Sequence, residues 1–163
     1  MTLADLNALG RPEFVEAVGW VFEHSPWVAE GAWMRRPFAT LDQLHAAMAD
    51  ELARGDREQQ LALLRAHPDL GTRANMTRAS TSEQAGAGFD SLTPAEFVRL
   101  QQLNSEYRDK FGFPFLYAVK GSTTHDILAA LGARTQGTRE EEFREALRQV
   151  SQIARFRLED TIQ

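Results

Sequence analysis

The sequence contains no cysteine. Disulfides, iron–sulfur clusters, thiolate zinc sites and cysteine nucleophiles are therefore excluded, and a cytoplasmic protein is the simplest expectation. A basic excess is missing too: 18 Lys and Arg against 23 Asp and Glu leave a net charge of −5. Nucleic acid and anionic membrane surfaces both want a basic face, so neither is expected as a partner. No run approaches the roughly 18 apolar residues of a membrane span. The opening MTLADLNALG has no basic region followed by an apolar one, so no signal peptide is expected, and EDTIQ is no peroxisomal address of the SKL kind.

Motifs for common chemistries are absent as well. No two of His24, His45, His67 and His125 have the i, i+4 spacing of a helical zinc site, so no metal is expected. VKGST places its lysine before the glycine, which rules out a phosphate loop. GAGF at 86–89 follows no strand signal, and no GxSxG elbow occurs. Strand–helix alternation and internal repeats are also lacking.

What is present is helix signal. Pro12 suits a first helical turn ahead of Phe14, Val15, Val18 and Val21. Ser25 reads as an N-cap before Pro26, and Thr40 with Gln43 as a capping box before Leu41, Leu44, Met48 and Leu52. Asp56 opens a further helix. Thr93, Pro94 and Glu96 open one carrying Phe97, Leu100, Leu103 and Tyr107, and Thr138 starts a last helix to about Ile162. FPFLYAV, 113–119, is the one candidate for a short extended segment. With 163 residues and no Pro/Ser-rich linker, the expectation is one all-α domain over 1–163, a helical bundle of about six to eight helices.

Four stretches invite a chemical reading beside a structural one. In LLRAHPDLG, Pro68 pushes His67 out of the helical region, so the helix ends there. The imidazole then either caps the last carbonyls or is aimed for acid–base work. In STSEQAGAG, Ser80 and Glu83 have capping-box spacing; a helix N-terminus of this kind also suits an anionic or urea-like ligand. On the last helix, Phe143, Leu147, Val150 and Ala154 step 4-3-4, and the next step of three lands on Arg157. A guanidinium on an apolar stripe is a snorkelling side chain, a buried ion pair or a group facing a site, whereas Arg155 lies off the stripe and reads as solvated. KFGFPFLYAVKG is either a buried connector or a pocket wall with its backbone turned to a ligand.

Taken in order, FEHSPWVAEGAW, RPF, LLRAHPDLG, SxxEQxxAG, FGFPFLYAVKG and IARFRL make the chain resemble the OHCU decarboxylases, from about Leu6 to Leu158. The resemblance implies an all-α, homodimeric enzyme without a cofactor. It would convert 2-oxo-4-hydroxy-4-carboxy-5-ureidoimidazoline (OHCU) to (S)-allantoin with loss of carbon dioxide, the last step from urate to allantoin. It implies His67 as catalytic acid, with Glu83 and Arg157 as further catalytic residues. Pro68, Ser80, Gln84 and the stretch Phe115, Leu116, Tyr117, Ala118 and Val119 would bind substrate. Phe89 stands where the family more often has Leu, and Phe156 where it has the first Leu of LRL. The spatial expectation is that His67, Glu83 and Arg157 face one cavity. Two rival readings remain: a helical interaction module, and an enzyme acting on a related ureido or hydroxy-acid substrate.

Overall fold

The computed structural model describes residues 1–71 and 83–163. Ser80 lies outside the described residues. The α-helices are α1 (Leu3–Ala8), α2 (Arg11–Val18), α3 (Trp27–Trp33), α4 (Leu41–Arg54) and α5 (Arg57–Arg65). They continue with a short stretch α6 over 83–86, then α7 (Pro94–Phe111), α8 (Thr124–Arg134) and α9 (Arg139–Thr161). No strand occurs among the described residues, and 113–119 runs as irregular backbone. The all-α expectation holds. The two helices without an advance signal in the apolar spacing, α1 and α8, are each opened by a Thr–Asp capping box, Thr2 with Asp5 and Thr123 with Asp126.

The chain forms two compact units, one of Met1–Leu63 with Val150–Gln163, the other of Leu64–Gln149. In the first, α2, α3 and α4 pack together around Phe14, Val18, Val28, Leu44 and Met48. RPF is a structural clamp here. Arg36 Nη1 donates to the carbonyls of Asn7 and Leu9 at 2.8 and 2.9 Å, and its guanidinium stacks on Trp33. Residues 150–163 are tied to the first residues by backbone and side chain: Gln163 N donates to Met1 O at 2.9 Å, and His45 Nε2 to Ser151 O at 2.8 Å.

Three local expectations change. Ser25 does not cap α3: its hydroxyl donates to the Glu23 carbonyl at 2.8 Å, and α3 begins after Pro26 without a side-chain cap. Arg155 is not simply solvated, since it pairs with Glu159 at 2.7 Å and with Asp42. On α9, Ala146 replaces Leu147 in the buried row with Phe143, Val150 and Ala154.

The second unit is built on α7. Thr93 and Glu96 cap it reciprocally, and Gly112, at φ +81°, ends it in the left-handed conformation where glycine has no Cβ penalty. Its buried face carries Leu100, Leu103, Tyr107 and Phe111. Tyr107 meets Phe115 edge to face at 5.4 Å and Phe113 at 6.0 Å. These aromatic contacts hold 113–119 without ladder hydrogen bonds.

Candidate active site

In the second unit the structure arranges the chain around the HPD turn. As expected from Pro68, α5 ends at Arg65, and His67 N reaches back to Leu64 O at 3.3 Å. The His67 side chain is buried, at 6% exposure. Backbone and side-chain bonds fix the turn on both sides of it. Arg65 Nε donates to Gly112 O at 2.9 Å. Asp69 pairs with Arg108 at 2.7 Å, and Asn104 Nδ2 donates to Leu70 O at 2.9 Å. Burial raises the Asp69 carboxyl above its ordinary range, against the pull of Arg108.

The turn closes on Gly71, at φ +82°. A Cβ there would sit 2.4 Å from Leu100 Cδ2, so glycine is needed for both conformation and space. Its N–H donates to Gln84 Oε1 at 2.7 Å, and Gln84 is buried. Two of the sequence motifs, HPDLG and SxxEQ, thus meet through one hydrogen bond. Glu83 precedes Gln84 on α6 and is half-buried.

A cavity of about 680 Å³ opens beside this turn, lined by Asp69, Leu70, Gly71, Phe89, Phe97 and Asn104 among others. None of the site candidates named from sequence is among its described lining residues. Phe97, expected on the buried face of α7, is instead 39% exposed at this cavity.

Phe115, Leu116 and Val119 are buried, and Tyr117 and Ala118 half-buried. The connector reading of this stretch is therefore correct as far as packing goes. Its backbone is nonetheless pinned by side chains. Arg134 Nη1 donates to Leu116 O at 2.8 Å, while Ala118 N donates to Gln149 Oε1 at 2.8 Å. Arg134 also lies over the Phe115 ring at 4.5 Å and pairs with Glu142 at 2.9 Å. Tyr107 Oη donates to the same Glu142 oxygen at 2.6 Å. Burial, then the Glu142 bond, pushes the Tyr107 hydroxyl far up, so it remains a donor at any working pH. Tyr107 lies on the apolar spacing of α7, whereas Arg134, Glu142 and Gln149 carry no spacing signature.

In the first unit, Arg157 is 3% exposed. Its Nη2 donates to Glu23 Oε1 at 3.0 Å and its Nη1 to Val21 O at 3.3 Å. The Trp20 ring centroid is 6.0 Å from Cζ. Arg157 thus forms a buried ion pair, one of the readings the stripe allowed, and Glu23 within FEHSPW is its other half. Among the described residues no group of three or more His, Asp or Glu could hold a metal ion.

Comparison with known proteins places these motifs. The profile of the family described as OHCU decarboxylase matches residues 7–159. The 2-oxo-4-hydroxy-4-carboxy-5-ureidoimidazoline decarboxylase of Halalkalicoccus jeotgali is 48% identical over 98% of this chain and 91% of its own length. That of Haloferax volcanii is 48% identical over 97% and 94%. A crystal structure of (S)-allantoin synthase superposes with a TM-score of 0.82 at 40% identity. It covers 99% of this chain, which spans 54% of that longer one. A profile match from end to end, with relatives alike over their whole length, makes this chain a member of the OHCU decarboxylase family.

Proposed function

We propose that the chain is a carboxy-lyase that converts OHCU to (S)-allantoin without a cofactor, in urate degradation. The substrate carbon carries a hydroxyl and a carboxylate beside a ring C=N unit. When the bond to the carboxylate breaks, carbon dioxide leaves and the electron pair enters that unit, so the substrate supplies its own electron sink. One proton delivered to one face then sets the S centre.

His67 handles that proton, and Pro68 fixes the backbone that aims it. Glu83 holds the ureido N–H groups or orients the imidazole, with Ser80 and Gln84 beside it. The backbone of Phe115, Leu116, Tyr117, Ala118 and Val119 positions the ring. Arg157 stabilises charge as it develops on the substrate rather than gripping the departing carboxylate, since holding the ground state does not speed its loss. The bond between Gly71 and Gln84, 2.7 Å long, supports this reading most directly. It joins the turn bearing His67 to the helix bearing Glu83.

The same reading takes the chain as one domain, homodimeric and cytoplasmic. The single profile over 7–159 and the absence of cysteine support the first and last of these, and sedimentation of the purified protein tests the second. The activity is tested by generating OHCU in place from urate with urate oxidase and hydroxyisourate hydrolase, then following allantoin chirality by circular dichroism. Acceleration with S product is expected, and His67→Ala is expected to abolish it while the helical spectrum stays. Racemic product at the uncatalysed rate would reject the activity, and a wild-type rate in His67→Ala would reject the role of His67.

A further inference from the structure

Two buried side-chain polar atoms have no hydrogen-bond partner among the described residues, Asn104 Oδ1 and Arg134 Nη2. Asn104 lines the cavity of about 680 Å³ beside the HPD turn, and Arg134 is not among its described lining residues. Every described residue of that lining belongs to the unit of Leu64–Gln149. Asn104 is 5% exposed, and its Nδ2 donates to Leu70 O at 2.9 Å. A carbonyl only accepts, so the amide nitrogen must face Leu70, and the oxygen is what Asn104 has left to offer. A buried acceptor of this kind costs stability until a donor answers it.

The rest of the lining defines the body that would carry that donor. Pro94, Phe97, Gln101 and Asn104 step 3-4-3 along α7 and so share one helix face. It lies beside the face that buries Leu100, Leu103, Tyr107 and Phe111. Phe97 is exposed here and Phe89 buried, and with Leu92 they give the cavity an apolar, aromatic wall. Asp69 supplies a second acceptor, but Arg108 already pairs with it at 2.7 Å, so a further cation gains little there. We infer that this cavity is a binding site for a neutral ligand with a primary amide or ureido group on a flat apolar ring. Its N–H donates to Asn104 Oδ1, and its ring lies against Phe97 and Phe89. The inference does not rest on the reaction proposed above, since no residue assigned to that reaction is among the described lining residues.

Three probes of one shape separate the contributions: benzamide, acetophenone, in which a methyl group replaces the amide nitrogen, and benzamidinium, which carries a charge. Ligand-observed NMR gives their Kd values. Acetophenone and benzamidinium should each bind more weakly than benzamide, by about tenfold or more. Asn104→Leu should weaken benzamide about tenfold and leave acetophenone within about twofold. Phe97→Ala, at an exposed position, should weaken benzamide and acetophenone alike by about fivefold. Circular dichroism establishes folding; if Asn104→Leu does not fold, the acetophenone comparison and Phe97→Ala decide. Acetophenone binding as tightly as benzamide overturns the inference, as does benzamide binding unchanged in folded Asn104→Leu or in Phe97→Ala. No benzamide binding at about 10 mM overturns it too. Benzamidinium binding more tightly than benzamide would make this a cation site and overturn the neutral ligand.

Discussion

Two residues in left-handed backbone respond to substitution in opposite directions. Gly71, at φ +82°, has no room for a methyl group, with Leu100 Cδ2 at 2.4 Å from the position it would take. Gly71→Ala therefore adds conformational strain of about 1–2 kcal/mol and a steric clash on top of it. His24, at φ +46°, bears that strain already, and its side chain is largely exposed. His24→Gly should therefore stabilise the protein by up to about 1 kcal/mol, the relief exceeding the entropy that glycine adds to the unfolded chain. Urea unfolding of the two variants beside wild type checks both signs. A neutral Gly71→Ala or a destabilised His24→Gly would contradict the account.

Among the helices, the end of α8 and the start of α9 supply the side chains that matter to 113–119. Arg134 serves Leu116 O, the Phe115 ring and Glu142 at once. Arg134→Ala leaves Glu142 buried and without its cation, at a cost of about 3–5 kcal/mol. Tyr107→Phe removes only one hydrogen bond to Glu142 and should cost about 1–3 kcal/mol. Thermal unfolding should rank them in that order, and the reverse order would mean that the ion pair contributes less than the phenol.

This is also the scale at which the sequence was most readable. Thr93, Glu96, Thr138, Asp56 and the stop at His67 depend on neighbours within four positions, and each behaves as its local chemistry requires. Ser25 failed as a cap because α3 starts at Trp27 with Pro26 in the N-cap position, so Ser25 stands one residue too early, and its hydroxyl donates to the Glu23 carbonyl instead. Arg157 was conspicuous on its stripe, but its partner was not, since nothing in the spacing links positions 134 apart. Arg134 and Gln149 were silent for the same reason. Polar residues that support a backbone segment across the fold have no period.

At the scale of the whole molecule, the groups shifted in the acid range among the described residues are carboxylates. Hydrogen bonds from Thr2, Thr93 and Thr123 hold Asp5, Glu96 and Asp126 below their ordinary values, and Arg35 and Arg148 do the same for Asp50 and Glu145. A carboxyl depressed in the fold stabilises it above the unfolded value, 3.8 for Asp and 4.5 for Glu, and loses that contribution as pH falls through the folded one. Asp69 opposes them: raised by burial, it favours the fold when protonated and loses that contribution as pH rises. Among the described groups the depressed carboxyls outnumber it, so Tm should fall steadily between about pH 5 and pH 3. A Tm that is flat or rising over that interval, followed by circular dichroism, would show that buried groups of the Asp69 kind dominate.

The division of the chain also governs how it is made. Phe14, Val18 and Leu44 belong to a unit completed by Val150–Gln163, so their apolar surface leaves the ribosome long before Val150, Ala154 and Leu158 exist. Leu64–Gln149 must be synthesised in between, which takes roughly five to fifteen seconds at ordinary elongation rates. The unit of Leu64–Gln149 is continuous in sequence and can assemble as it emerges. The segment before Leu64 thus waits for Val150–Gln163 to complete its unit, whereas the unit of Leu64–Gln149 is whole as soon as Gln149 has emerged.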